Sequence, residues 1–162
     1  CLNVGCIPAK ELLETAHVSE LTVVDPSGRP VTHPLIPLYD GELIYLTSSI
    51  LFSKKLEHIK ANPKVSLSIT DPAALEPGQI ARLTIQGDAE VDDSDLHAGW
   101  EGVLAGWRKK EPASVFFVVK RAALPRFFER SVIEIRPRKA FLWEDGRTDR
   151  PPQVFHVDPV LA

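Results

Sequence analysis

Residues 21–72 read LTVVDPSGRPVTHPLIPLYDGELIYLTSSILFSKKLEHIKANPKVSLSITDP, and β-forming runs recur along this stretch between short turn signals. Asp25-Pro26-Ser27-Gly28 separates a run from His17 to Val24 from a second run, Val31 to Leu38. Tyr39-Asp40-Gly41 then turns the chain into Leu43–Thr47, which is apolar on nearly every side. Lys64–Thr70 alternates, with Val65, Leu67 and Ile69 on one face and Ser66, Ser68 and Thr70 on the other. That pattern predicts a strand with one buried face. A short helix interrupts the series over Lys54–Ala61, opened by Ser53 as its cap and stopped by Asn62-Pro63.

Further along, Arg82–Val91 repeats the alternation, and Val132–Arg136 and Ala140–Trp143 read as two closing strands. A second helix is expected over Asp95–Lys110, where Leu96, Gly99, Trp100, Val103, Leu104 and Trp107 fall at helical spacing. Ser114–Phe128 follows it and is read as a third helix, although Val115–Val119 is rich in β-formers. Many short strands with helices set between them predict a mainly β, α+β domain built as an antiparallel barrel rather than a doubly wound sheet. Pro34 and Pro37 are then expected on a sheet edge or at a bulge. The organisation expected is an N-terminal segment 1–16, a barrel domain 17–150 and a C-terminal tail 151–162.

Composition narrows the function. The chain has 162 residues, 44% hydrophobic and 25% charged, which suits one domain with its own core. A net charge of -3 lacks the basic footprint of a nucleic-acid binder. No apolar run approaches the roughly 18 residues of a membrane span, and nothing reads as a cleavable leader, so the expected setting is the cytoplasm. A chain without Met that begins at Cys1 is expected to lack its natural start.

The densest chemistry lies in Thr47-Ser48-Ser49-Ile50-Leu51-Phe52-Ser53-Lys54-Lys55. Hydroxyls at a strand end precede two lysines in the first turn of a helix. A helix N-terminus already carries about half a positive charge and unpaired N–H groups, so lysines there conflict with the dipole. A phosphate held by Thr47, Ser49, Ser53, Lys54 and Lys55 would resolve the conflict. On local chemistry alone, a solvated surface turn fits equally well.

The order of motifs resembles the pyridoxamine-phosphate-oxidase-like flavoproteins. In that family a strand, a D-x-x-G-R-P turn and two further strands lead into a Ser-x-Lys helix that ends in Asn-Pro. RLTIQGDAEVDD looks like the next strand and ERSVIEIRPRKAFLW like the closing one, so the likeness covers about residues 18–146. It implies an antiparallel split β-barrel of the FMN-binding type, with FMN at the interface of a homodimer. The phosphate would lie near Ser53, Lys54 and Lys55 and the ring along the strand that carries Thr32 and His33. In the better-known oxidases an arginine stands at about the position of His33, and their C-terminal substrate-binding arginine motif has no match here. The function implied is therefore an FMN-dependent oxidoreductase acting on a small molecule, with a deazaflavin coenzyme as the alternative cofactor. A non-catalytic carrier of flavin, deazaflavin or haem is the competing reading. No side chain stands out as acid, base or nucleophile.

CLNVGCIPAKELLE, at the N-terminus, resembles the redox-disulfide segment of flavoprotein disulfide reductases such as dihydrolipoamide dehydrogenase and mercuric reductase. There Cys1 and Cys6 would carry thiol chemistry, but the nucleotide-binding folds of those enzymes have no counterpart in this sequence. Residues 1–16 are thus expected to be a fusion remnant that serves as a leading helix. A fragment related to those reductases is the last alternative. The histidines at 17, 33, 58, 97 and 156 show no paired metal-ligand spacing, and His33 alone is expected beside a ligand. Trp100, Trp107 and the Phe116/Phe117 pair offer apolar surface beyond the needs of one small core, which points to homodimer packing.

Overall fold

A computed structural model of the chain describes residues 7–50, 53–71, 75, 77–113 and 129–157. A leading helix α1 (Ile7–Thr15) precedes strands β1 (Ser19–Val24), β2 (Pro30–Leu35), β3 (Leu38–Tyr39) and β4 (Ile44–Ser49). Helix α2 (Lys54–Ala61) follows, then β5 (Lys64–Ile69) and β6 (Arg82–Asp92). A 3₁₀ turn (Gly99–Val103) runs into α3 (Leu104–Lys110), and β7 (Arg130–Trp143) and β8 (Gln153–His156) close the order. The sheet runs β2-β1-β5-β6-β7-β4-β3, with β8 also on β7, and every pairing is antiparallel. This is the expected α+β antiparallel split barrel.

The barrel splits along β7. Its first half pairs with β4 from Arg130 to Ile135, and its second half pairs with β8 from Lys139 to Leu142. The register against β6 slips between Gln86 and Gly87, so Gln86 faces Lys139 while Gly87 faces Pro137. A side chain at Gly87 would place its Cβ 2.6 Å from the Arg136 carbonyl oxygen, so glycine is required there. The two closing strands expected at Val132–Arg136 and Ala140–Trp143 are in fact this one continuous strand. Pro137, which lacks the N–H needed for a regular ladder, sits at the bulge instead of ending the strand.

One face of the sheet makes the core. Leu21, Val23, Ile44, Leu46, Leu67, Ile69, Leu83, Ile85, Ile133 and Ile135 are buried on it. Ala9, Leu12 and Leu13 of α1 and Leu56 and Ile59 of α2 join the same cluster. The alternation of Val65, Leu67 and Ile69 against Ser66 and Ser68 is realised as expected. Pro34 lies in the edge strand β2, and Pro37 falls between β2 and β3.

Two other expectations change. The helix over Asp95–Lys110 begins only at Leu104. The Asp95 carboxylate instead accepts the His97 and Ala98 N–H groups in a turn, and Gly99, Gly102 and Gly106 weaken helix formation through this span. Residues 153–156, expected in a tail, form β8 in the sheet. Trp100 is buried, its indole N–H donating to the His97 carbonyl, and it meets Trp107 edge to face at 6.0 Å. Lys110 is buried too. Its ammonium donates to the carbonyls of Leu13 at 2.5 Å, Ala16 at 3.0 Å and Pro37, tying α3 to the end of α1 and to the β2–β3 link. Cys1, Cys6, the expected helix Ser114–Phe128 and the Phe116/Phe117 pair lie outside the described residues.

Candidate functional site

The site grows from the start of α2. Ser53 occupies the cap position, yet its hydroxyl is 2.9 Å from that of Ser48, and α2 has no side-chain cap. The N–H groups of the first turn are therefore left to other partners. Lys54 is exposed there and Lys55 is half-buried, where burial and the nearby Arg130 guanidinium push its pKa down.

Arg130 opens β7 opposite Ser49 of β4. Its guanidinium lies 5.0 Å over the Trp107 ring and reaches the Thr47 carbonyl at a long 3.4 Å. Its Nε is buried without a partner. His33 stands on β2 opposite Leu21, with its Nε2 buried and unpartnered. Burial lowers the His33 pKa first, and Lys55 and His58 lower it further. The Nδ1 of His58, on α2, is likewise buried and unpartnered. Five buried side-chain atoms lack a hydrogen-bond partner among the described residues, and three of them, on His33, His58 and Arg130, belong to this one group. None of Lys54, Lys55 and Arg130 forms a salt bridge among the described residues. Buried polar atoms are normally satisfied, so this concentration leaves hydrogen-bonding capacity unmet near the start of α2.

The residues expected from the sequence do not all converge. Lys55 lies within electrostatic reach of His33 and Arg130, and His58 of His33, whereas Ser53 turns to Ser48 and Lys54 is exposed. Thr47 and Ser49 lie on the outward face of β4, where Ser49 shares its side with Arg130. Thr32 points to the opposite side of β2 from His33 and hydrogen-bonds Thr22 at 2.9 Å. Arg130, His58 and Trp107 were not anticipated. Arg130 is a lone cation at a strand start, and His58 is legible only as the residue one helical turn after Lys55.

A separate cavity of about 410 Å³ lies between the outward faces of β4 and β7 and the 3₁₀ turn and α3. Tyr45, Asp40, Asp92 and Glu134 line it, with Leu38, Val103 and Gly106 as apolar wall. The Tyr45 hydroxyl donates to Asp40 at 2.8 Å, and burial together with that bond pushes its pKa up to about 12. Among the described residues no group of three His, Cys, Asp or Glu could hold a metal ion, and no helix is long and apolar enough to cross a membrane.

The family model described as pyridoxamine 5'-phosphate oxidase matches residues 8–144. The chain belongs to the pyridoxamine 5'-phosphate oxidase family. The match begins within residues 1–16, and helix α1 of that segment packs into the barrel core. No curated protein sequence matches the chain. Among solved structures, the chain is similar to a Clostridium acetobutylicum protein related to general stress protein 26 of B. subtilis, with 16% identity, a TM-score of 0.63 and 94% of each chain covered. It is also similar to the haem storage protein HutZ of Vibrio cholerae, with 20% identity and a TM-score of 0.60 over 85% of this chain and 92% of that one. An F420 reductase is a third neighbour, with 23% identity and a TM-score of 0.52 over 81% of this chain and 94% of that one. At these identities the likeness speaks for the fold.

Proposed function

We propose that this protein is a flavin-dependent oxidoreductase that holds the phosphate of FMN at the start of α2. The supporting observation is the cluster of His33, Lys55, His58 and Arg130, with buried unpartnered nitrogens and no salt bridge to the lysine or the arginine among the described residues. These residues fit a phosphate. Lys55 and Arg130 would pair with its oxygens, the uncapped N–H groups of α2 would add donors, and Lys54 would stand at the solvent rim. Bound FMN would supply hydride or electron transfer to a small-molecule substrate. The protein's own contribution is to grip the phosphate, hold Arg130 in place through Trp107 and exclude water from His33. We further propose that it works as a homodimer in the cytoplasm, with the flavin ring reaching the partner.

A deazaflavin coenzyme is the alternative, favoured by the fold shared with an F420 reductase, and a haem carrier is the reading that the likeness to HutZ would suggest. Absorbance and mass of the ligand that co-purifies separate the three. Bleaching of the bound cofactor by a nicotinamide donor marks an enzyme, and a spectrum that no donor changes marks a carrier. A haem spectrum would overturn the flavin assignment.

A further inference from the structure

His33 differs from the other basic groups of the cluster in one respect: its charge is optional near neutral pH. It pairs with Leu21 of β1, its Nε2 is buried without a partner among the described residues, and Lys55 and His58 of α2 lie within electrostatic reach of it. Behind Lys55 stands Arg130 at the head of β7. The charged and titratable groups that act on His33 are thus all basic. Among the described residues, the Asp25 carboxylate lies within electrostatic reach of His58, and its Oδ1 accepts from the Ser27 hydroxyl and the backbone N–H groups of Ser27 and Arg29. Protonating His33 in the free chain therefore adds a cation among cations in a half-dry setting, which is unfavourable on both counts. A dianion placed between Lys55 and His33 reverses the sign of the second effect.

We propose that His33 is the proton-accepting member of this site, neutral in the free chain and protonated from solvent as a phosphate monoester dianion enters, so that each phosphate captured takes up about one proton. This rests on the phosphate reading above but requires only a phosphate group, not a flavin. The proton passes from solvent to a ring nitrogen of His33, and no other bond forms or breaks. A permanently charged side chain at this position would bind phosphate without that linkage. Affinity then rises as pH falls, by about tenfold per unit of difference between the bound and free His33 pKa values. The rise ends where the phosphate itself gains a proton, at about pH 6. A phosphodiester carries one charge where a monoester carries two, so it draws less proton uptake.

The test is a histidine NMR titration of the full chain between about pH 5 and 9, with His33 assigned through His33→Gln and its neighbour through His58→Gln. The titration is run alone, with saturating FMN and with inorganic phosphate. The expected result is a His33 midpoint below the ordinary histidine value in the free chain, raised by about one unit or more with either ligand. FMN binding, seen by flavin fluorescence, with an unmoved His33 midpoint would overturn this proposal and leave the flavin reading standing. A midpoint raised by inorganic phosphate while FMN fails to bind would support the proposal and remove the flavin reading. No rise with either ligand, together with no FMN binding by fluorescence, would overturn both. Calorimetry in two buffers of different ionisation enthalpy adds an independent check. His33→Arg should keep the FMN affinity and lose the proton uptake, and uptake that persists in that variant would also refute the assignment.

Discussion

The two ends of the β4–β7 ladder carry opposite charge and meet that charge differently. At the Ser49–Arg130 end, Arg130 lowers the pKa of Lys55 and Lys55 lowers that of His33, with buried nitrogens left unpaired on Arg130 and His33. At the Tyr45–Glu134 end, carboxylates line a cavity and most of their bonds are already made. Asp40 accepts from the Glu42 and Leu43 N–H groups and from the Tyr45 hydroxyl. Asp92 accepts from the backbone N–H and the hydroxyl of Ser94. Helix α3 lies against both ends, with Trp107 under the Arg130 guanidinium and Gly106 on the cavity wall beside Val103 of the 3₁₀ turn. Charge density alone does not mark a ligand site. Unsatisfied buried atoms are the more telling signal, because their desolvation is offset only when a partner arrives.

The sharpest way to break this contrast is to remove the cations. The double change Lys54→Ala/Lys55→Ala should weaken FMN binding by about 2–4 kcal/mol, roughly thirty- to a thousandfold in Kd. Riboflavin, which lacks the phosphate, should bind parent and variant alike. Fluorescence titration of both ligands reads this directly, and equal FMN affinity would move the phosphate away from α2.

Helix α3 separates the two ends, so its anchor is the next lever. Lys110→Met strips a donor from three carbonyls and should cost about 2–4 kcal/mol of stability in urea unfolding, together with a weaker near-UV signal from the Trp100–Trp107 pair. Burial pushes the Lys110 pKa down to about 8. Between that value and its higher unfolded value the unfolded chain binds more protons, so the Lys110 contribution grows as pH rises through this window and is lost as pH falls back through about 8. The parent should therefore gain stability relative to Lys110→Met on going from neutral to alkaline pH. A constant difference between the two proteins would show that Lys110 titrates normally.

A smaller effect is expected at the acidic end. Asp92→Asn with Glu134→Gln should change the Kd for FMN by less than about threefold, and upward affinity is the only direction that long-range charge favours. A marked loss of FMN binding in that variant would place the cofactor in the acidic cavity instead. The smallest effect is expected from Cys1→Ser/Cys6→Ser, which should leave flavin content and reductase activity unchanged. Activity lost with flavin still bound would revive a thiol relay.

Much of the scaffold was legible because each strand carries its own evidence. Alternation such as Val65, Leu67 and Ile69 against Ser66 and Ser68 is a local consequence of the pleat, and turn residues such as Asp25 and Gly28 mark the ends. By local chemistry the candidate site was legible only in its helical part, Ser53-Lys54-Lys55, where charge and dipole conflict within one turn; His33 was reached through the family resemblance. The failures were those of context. Pro137 reads as a break until a bulge opposite Gly87 accommodates it, and Gly99, Gly102 and Gly106 keep helical spacing without helical propensity. By itself, then, the sequence determined the set of strands, the antiparallel barrel class and a phosphate-compatible helix start, because these depend on residues a few positions apart. Only the tertiary structure decided that Arg130 stands near Lys55, that Lys55 comes within reach of His33, and that Ser53 turns to Ser48 instead of capping its helix. Those pairings join residues from separate elements, and no local spacing encodes which cations will share one buried corner.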